Sequence, residues 1–210
     1  MSVARLHVII DVHAGVCDPV ALAESVIAGG ARLLQVRCKQ VSDRVAYEAA
    51  SQIAELCRVN GAECVINDRA DIAMAVGAAG CHVGALDLSV GVIRRLMGDH
   101  ALVGGTARDA ATARRLQGEG ASYVGVGPIY STASKTGLPD PLGLGVIRAV
   151  TSVVDVAVIA ISGVTVAGGP EVLDAGAYGV AVIGAIARAA DPRAATAAFV
   201  TALAHAGGDR

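Results

Sequence analysis

Eight short apolar runs punctuate this 210-residue chain, and each is followed by a polar cluster and then by a stretch with helical spacing. The runs fall at residues 6–10, 32–36, 63–66, 81–83, 101–103, 123–126, 156–161 and 178–183. Several are continuously apolar rather than alternating, the pattern of parallel strands covered on both faces. Residues 20–28, 45–59, 72–76, 90–97, 110–117, 143–150, 171–174 and 191–204 read as helices. Asp18-Pro19 and Asp191-Pro192 read as helix caps followed by proline at the first helical position. Gly30-Ala31, Gly61-Ala62, Gly80-Cys81, Gly120-Ala121 and Gly176-Ala177 precede strands, where a left-handed glycine would end the helix before.

Strand–helix alternation repeated through a chain of this length predicts the α/β class, as a single (β/α)8 TIM barrel. The expected boundaries are residues 1–206 for the barrel and 207–210 for a flexible tail. A doubly wound sheet is the other arrangement, but no Gly-x-Gly-x-x-Gly follows the first strand. With 54% hydrophobic and 17% charged residues, the chain is not disordered. Its 17 Lys+Arg against 19 Asp+Glu, with 2% aromatics, disfavour a nucleic-acid partner. A mean hydropathy of +0.57 raises the question of a membrane. The most apolar segment, 156–169, is shorter than the ~20 residues a span needs and is broken by glycines. No signal-peptide pattern opens the chain. Five cysteines without a Cys-x-x-Cys pair argue against a disulfide framework or zinc site. We expect a cytoplasmic protein with no membrane partner, and the Ala-rich helices are compatible with a homodimer.

Barrel chemistry sits at the carboxyl ends of the strands, and the unusual polar residues cluster there. The second strand ends with Gln35, Arg37 and Lys39, which alternation places on one face. Arg grips phosphate oxygens in pairs and Lys acts as a mobile point charge, so the set suits a polyanion. Solvated surface cations would give the same letters. The third strand ends Asn67-Asp68, and Asp87 follows the fourth. Two carboxylates beside a polyanion site suit Mg2+, which uses one or two carboxylates plus water and phosphate oxygens. Each could instead cap the next helix. His82 is expected to pack inside its strand. After the sixth strand, Thr132, Ser134 and Lys135 lie on the longest polar loop, suited to closing over anionic oxygens or to serving as a plain connection. The last two strands end Ser162-Gly163 and Ile183-Gly184, turns whose backbone N–H groups can approach a phosphate, aided by a helix N-terminus.

Together these residues resemble the thiamine phosphate synthase family from about Leu6 to Ala204. That family is a (β/α)8 barrel joining a hydroxymethylpyrimidine diphosphate to a thiazole phosphate with release of pyrophosphate. Its Gln-x-Arg-x-Lys motif is Gln35, Arg37 and Lys39 here, and its Asn-Asp is Asn67 and Asp68. The resemblance implies Gln35, Arg37, Lys39 and Asn67 on the pyrimidine diphosphate, and Asp68 and Asp87 on Mg2+. It implies Thr106 against the pyrimidine, and Thr132, Ser134, Gly163, Ile183 and Gly184 around the thiazole phosphate. Arg37, Lys39 and Lys135 would act on the leaving pyrophosphate, in a dissociative substitution. The family's Gln after His-x-Gly is Ala85 here, a common His is Arg108, and Thr106, Ser134 and Gly184 stand where Ser, Thr and Ser are usual. The turn Ser162-Gly163-Val164 replaces Gly-Gly-Ile.

Three other readings compete. A thiazole tautomerase of the same barrel type needs a base near Arg108, and a guanidinium stays protonated. A non-catalytic ligand-binding paralogue would keep the barrel without turnover. A sugar-phosphate isomerase or aldolase would want a Schiff-base lysine or a carboxylate base, whereas Lys39 and Lys135 suit a polyanion better.

Overall fold

The computed structural model describes residues 3–13, 15, 17–132 and 139–205. Its strands are β1 (Leu6–Asp11), β2 (Leu33–Arg37), β3 (Glu63–Asn67), β4 (Gly80–Val83), β5 (Leu102–Ala107), β6 (Tyr123–Val126), β7 (Ala157–Ile161) and β8 (Gly179–Val182). Each pairs in parallel with the next, and β8 pairs with β1, closing the expected barrel. The helices among the described residues are α1 (Pro19–Ala28), α2 (Asp43–Val59), α3 (Ala70–Ala75), α4 (Val90–Met97), α5 (Ala110–Gly118), α6 (Gly143–Thr151), α7 (Gly169–Asp174), α8 (Gly184–Ala187) and α9 (Pro192–His205). Among them, no helix is long and apolar enough to cross a membrane. The tail expected at 207–210 lies outside the described residues.

Local chemistry sets the helix starts. Asp18 accepts the N–H groups of Val20 and Ala21 at 2.9 and 2.8 Å, with Pro19 in the first turn of α1. Asp191 accepts the N–H of Ala194 at 2.9 Å, ahead of Pro192. Gly30, Gly61, Gly120 and Gly176 take the expected positive φ, but Gly80 does not. It belongs to β4 itself, where any Cβ would fall 1.9 Å from the Leu102 carbonyl oxygen. β5 runs on through Gly104, Gly105 and Thr106, beyond the apolar letters that announce it. The short α8 has no counterpart among the helices read from the spacing.

Alternation along each strand divides the side chains between two cores. Outward residues such as Leu34, Val36, Ile66 and Val103 pack with Ile53, Ile93, Ile147 and Phe199 beneath the helices. Full burial of each such side chain contributes ~1.5–3 kcal/mol. Inward residues fill the barrel in layers. Leu33, Val65 and Leu102 form one apolar layer. Further along the same strands stand Gln35, Asn67 and Thr106, so the interior turns polar toward the carboxyl ends. On the other side, Ile9, Tyr123, Ile159 and Ala181 form a second apolar cluster. The site therefore rests on a packed floor.

Candidate active site

Two adjacent cavities open at the carboxyl ends of the strands. The central one, about 220 Å³, is lined among others by Gln35, Lys39, Asn67, Asp68, Asp87 and Thr106. Its neighbour, about 130 Å³, is lined by Thr132, Gly163, Ile183 and Gly184 among others. Ile161, Ser162 and Ala181 border both. A wide groove at the opposite end of the barrel, around Arg148, Asp155 and Tyr178, is more voluminous but open. It gathers no comparable cluster of strand-end polar groups among the described residues.

In the central cavity, Gln35 is buried and its Nε2 donates to Asn67 Oδ1 at 3.0 Å. Lys39 Nζ pairs with Asp68 Oδ2 at 2.8 Å. Asp68 takes a left-handed φ of +66°, unusual for a residue with a side chain, and its N–H donates to the His82 carbonyl at 2.8 Å. Asp87 Oδ2 accepts the Gly84 N–H at 2.8 Å. Neither carboxylate caps a helix: Arg69 stands at the start of α3 without a side-chain cap, and Ser89 caps α4. Burial, then contact with Asp87, pushes the Asp68 carboxyl up against the pull of Lys39. Burial opposes ionisation of Asp87 too. Its contacts with Asp68 and the Gly84 N–H outweigh that and hold it below the usual carboxylate range. Two carboxylates this close share a proton, or a cation takes its place.

Arg37 does not line the central cavity with its neighbours. Its guanidinium pairs with Asp11 at the end of β1, brought alongside by the Asp11↔Arg37 register of the two strands. Arg108 is exposed and borders the cavity. Cys38 turns toward α2, with Sγ 3.9 Å from the Ala46 carbonyl, and burial pushes its thiol up to about 11. All five cysteines are free. Gly163 takes φ +71° and passes so close to Ser131 and Tyr130 that a Cβ would meet both at 2.6 Å. Gly184 opens α8, but four residues make no macrodipole, so single backbone N–H groups are what this turn offers. Ser134 and Lys135 lie outside the described residues.

Several lining residues escape the sequence reading. His82 does more than pack: its Nε2 lies 2.9 Å from Thr106 Oγ1 and its Nδ1 3.1 Å from the Tyr123 hydroxyl. Tyr123 stacks on His82, with centroids 5.5 Å apart, and meets the His7 ring edge-on at 5.0 Å. His7 is buried, and its Nε2 has no hydrogen-bond partner among the described residues. The available signal is a lone polar residue inside an otherwise apolar run. Asp11 is hidden for another reason, since its role depends on which strand lies beside β1.

A closed parallel barrel that brings carboxylates, a lysine and hydrogen-bonding side chains from β2, β3, β4 and β5 together over an apolar floor is an enzyme of the (β/α)8 class. The chain belongs to the thiamine monophosphate synthase family, whose description matches residues 6–186. It is similar to the thiamine-phosphate synthase of Salinispora arenicola, with 50% identity over 205 residues, 96% of this chain and 98% of that protein. The corresponding protein of Salinispora tropica is 48% identical over the same shares. The solved thiamine phosphate pyrophosphorylase from Pyrococcus furiosus superposes with a TM-score of 0.88 at 28% identity, covering 97% of each chain.

Proposed function

We propose that this protein condenses a hydroxymethylpyrimidine diphosphate with a thiazole phosphate, giving thiamine phosphate and pyrophosphate. The observation that carries the reading is the pair of cavities sharing Ile161, Ser162 and Ala181. Two substrates can thus lie side by side, one among charged groups and one among backbone turns.

In this reading Gln35, Asn67 and Thr106 orient the pyrimidine. Lys39 and Lys135 neutralise the diphosphate as it departs, and Arg37, held by Asp11 outside the cavity lining, adds its charge from the end of β2. Thr132, Ser134, Gly163, Ile183 and Gly184 hold the thiazole phosphate. Holding the thiazole nitrogen against the pyrimidine methylene converts an encounter into a near-unimolecular step. The cavity offers fixed charge for the leaving group rather than an activated nucleophile, which favours dissociative C–O cleavage followed by capture. Arg108 at the rim supplies no base for the tautomerase alternative.

The donor set fits Mg2+. Asp68 and Asp87 would offer two hard carboxylate oxygen donors in mutual contact. That composition suits an ion which takes its remaining ligands from water and phosphate. When bound, Mg2+ would neutralise charge on the diphosphate oxygens. A cytoplasmic setting belongs to the same proposal and agrees with the free cysteines.

The test is direct. The purified protein, given both substrates and Mg2+, should release thiamine phosphate and pyrophosphate in equal amounts. Formation of neither would overturn the proposal.

A further inference from the structure

We propose that Tyr123 is a positioning residue that fixes the proton of His82 on Nε2 and so makes the Thr106 hydroxyl a hydrogen-bond donor toward the ligand of the central cavity. The reasoning is one of proton counting along a chain of three side chains.

Tyr123 is fully buried in the barrel, among Ile9, Ile159 and Ala181. Burial pushes its phenol up, so the hydroxyl keeps its proton. A buried O–H must donate somewhere, and its partner here is His82 Nδ1 at 3.1 Å. Nδ1 is then an acceptor, and the neutral ring carries its proton on Nε2. That N–H donates to Thr106 Oγ1 at 2.9 Å. With its oxygen already accepting from His82, Thr106 has its own O–H left to give, and Thr106 lines the central cavity. Reversing the chain would make Nδ1–H donate to the phenol and leave the phenolic proton without an acceptor among the described residues, since the unpaired Nε2 of the adjacent His7 is not within hydrogen-bond distance.

The backbone is shaped around this arrangement. At Gly104, a Cβ would fall 2.2 Å from Tyr123 Cζ and 2.5 Å from His82 Nδ1. Any larger residue there would push the phenol and imidazole apart. The feature to be recognised is consequently an acceptor, such as an unprotonated nitrogen of a heteroaromatic ring. That this ring is the pyrimidine rests on the function proposed above.

Imidazole 15N spectra of the ligand-free protein, with His82 assigned by the signals lost in His82→Gln, read the tautomer without any substrate. We expect the neutral Nε2–H form in the wild type and a mixture of tautomers in Tyr123→Phe. Tyr123→Phe and Thr106→Val should each raise KM for the pyrimidine diphosphate about five- to tenfold, with the effect on KM rather than kcat. Thr106→Ser should restore it. The double variant should be no worse than either single one, because both remove the same donor. An Nδ1–H or doubly protonated His82 in the wild type, or single effects that multiply, would overturn the inference. If Tyr123→Phe does not fold, the wild-type tautomer and the Thr106 pair still decide it. If the wild type does not use the pyrimidine diphosphate, the proposed function fails while the tautomer result stands by itself.

Discussion

Lys39 Nζ lies 2.8 Å from Asp68 Oδ2, so a cation expected on the diphosphate meets a carboxylate expected on the metal. The two assignments are compatible. The lysine side chain is 48% exposed and can swing toward anionic oxygens, leaving the carboxylate to a divalent ion. The contact also explains how Asp68 and Asp87 can lie together, since the ammonium offsets part of their repulsion.

Asp68→Asn and Asp87→Asn keep the shape of the site and remove one charge each. Each should lower kcat/KM by roughly a hundredfold or more, the size of a lost metal ligand. The Mg2+ concentration for half-maximal rate should rise about tenfold or more. Rates measured across a Mg2+ titration check this, and an unmoved half-maximal point would count against a shared ion.

Arg37 depends on Asp11. The paired side chains are only 19% and 9% exposed, so Asp11→Asn leaves a partly buried guanidinium without its counter-charge. We expect a loss of ~1–3 kcal/mol of stability by urea titration. KM for the pyrimidine diphosphate should also shift severalfold, with KM for the thiazole phosphate unchanged. Equal shifts for both substrates would show that Asp11 acts on the barrel as a whole rather than through Arg37.

The barrel is legible in the sequence because its strands are buried on both faces and read as bare apolar runs between capped helices. Asp18-Pro19 and Asp191-Pro192 mark real helix starts for the same local reason. Strand-end polar residues are legible too, since nothing in an apolar layer calls for Gln35, Asn67 or Asp68. What stays hidden depends on closure. The Asp11↔Arg37 register exists only once β1 lies beside β2. The His82–Tyr123 stack spans β4 and β6, which β5 separates. Gly80 carries the letters of a helix stop. It sits in β4, paired with Leu102, whose backbone leaves no room there for a Cβ.

His7 links the fold to acid. Burial, then the neighbouring His82, lowers its pKa from 6.5 to about 3, so the folded ring stays neutral well below neutrality. The unfolded ring takes a proton near 6.5, and between those values the unfolded state binds more protons. Stability therefore falls as pH drops through that window, by up to ~1.4 kcal/mol per pH unit from this residue, and the contribution vanishes above it. His7→Phe removes that contribution. Urea midpoints measured against pH should show the wild type weakening faster than the variant below 6.5. Parallel curves would mean that the folded ring accepts the proton.

Two glycines make opposite predictions from the same substitution. Gly104 lies inside the barrel, where an added Cβ would sit 2.2 Å from Tyr123 Cζ and 2.5 Å from His82 Nδ1. Neither ring can retreat easily. Tyr123 is buried between His7 and His82, and His82 is tied to Thr106. Gly104→Ala should then cost about 3 kcal/mol or more, at the upper end for overpacking, because rigid rings rather than flexible ends meet the new methyl. Activity should fall with it, since the Thr106 hydroxyl would be dragged off its aim. Gly145 lies on the exposed side of α6, with nothing within 4 Å of an added Cβ and a φ outside the left-handed region. Gly145→Ala should stabilise by ~0.5–1 kcal/mol, the ordinary gain of alanine over glycine within a helix. Urea unfolding of the two variants beside the wild type decides the matter. A Gly104→Ala protein as stable and active as the wild type would show that the His82–Tyr123 stack has room to give.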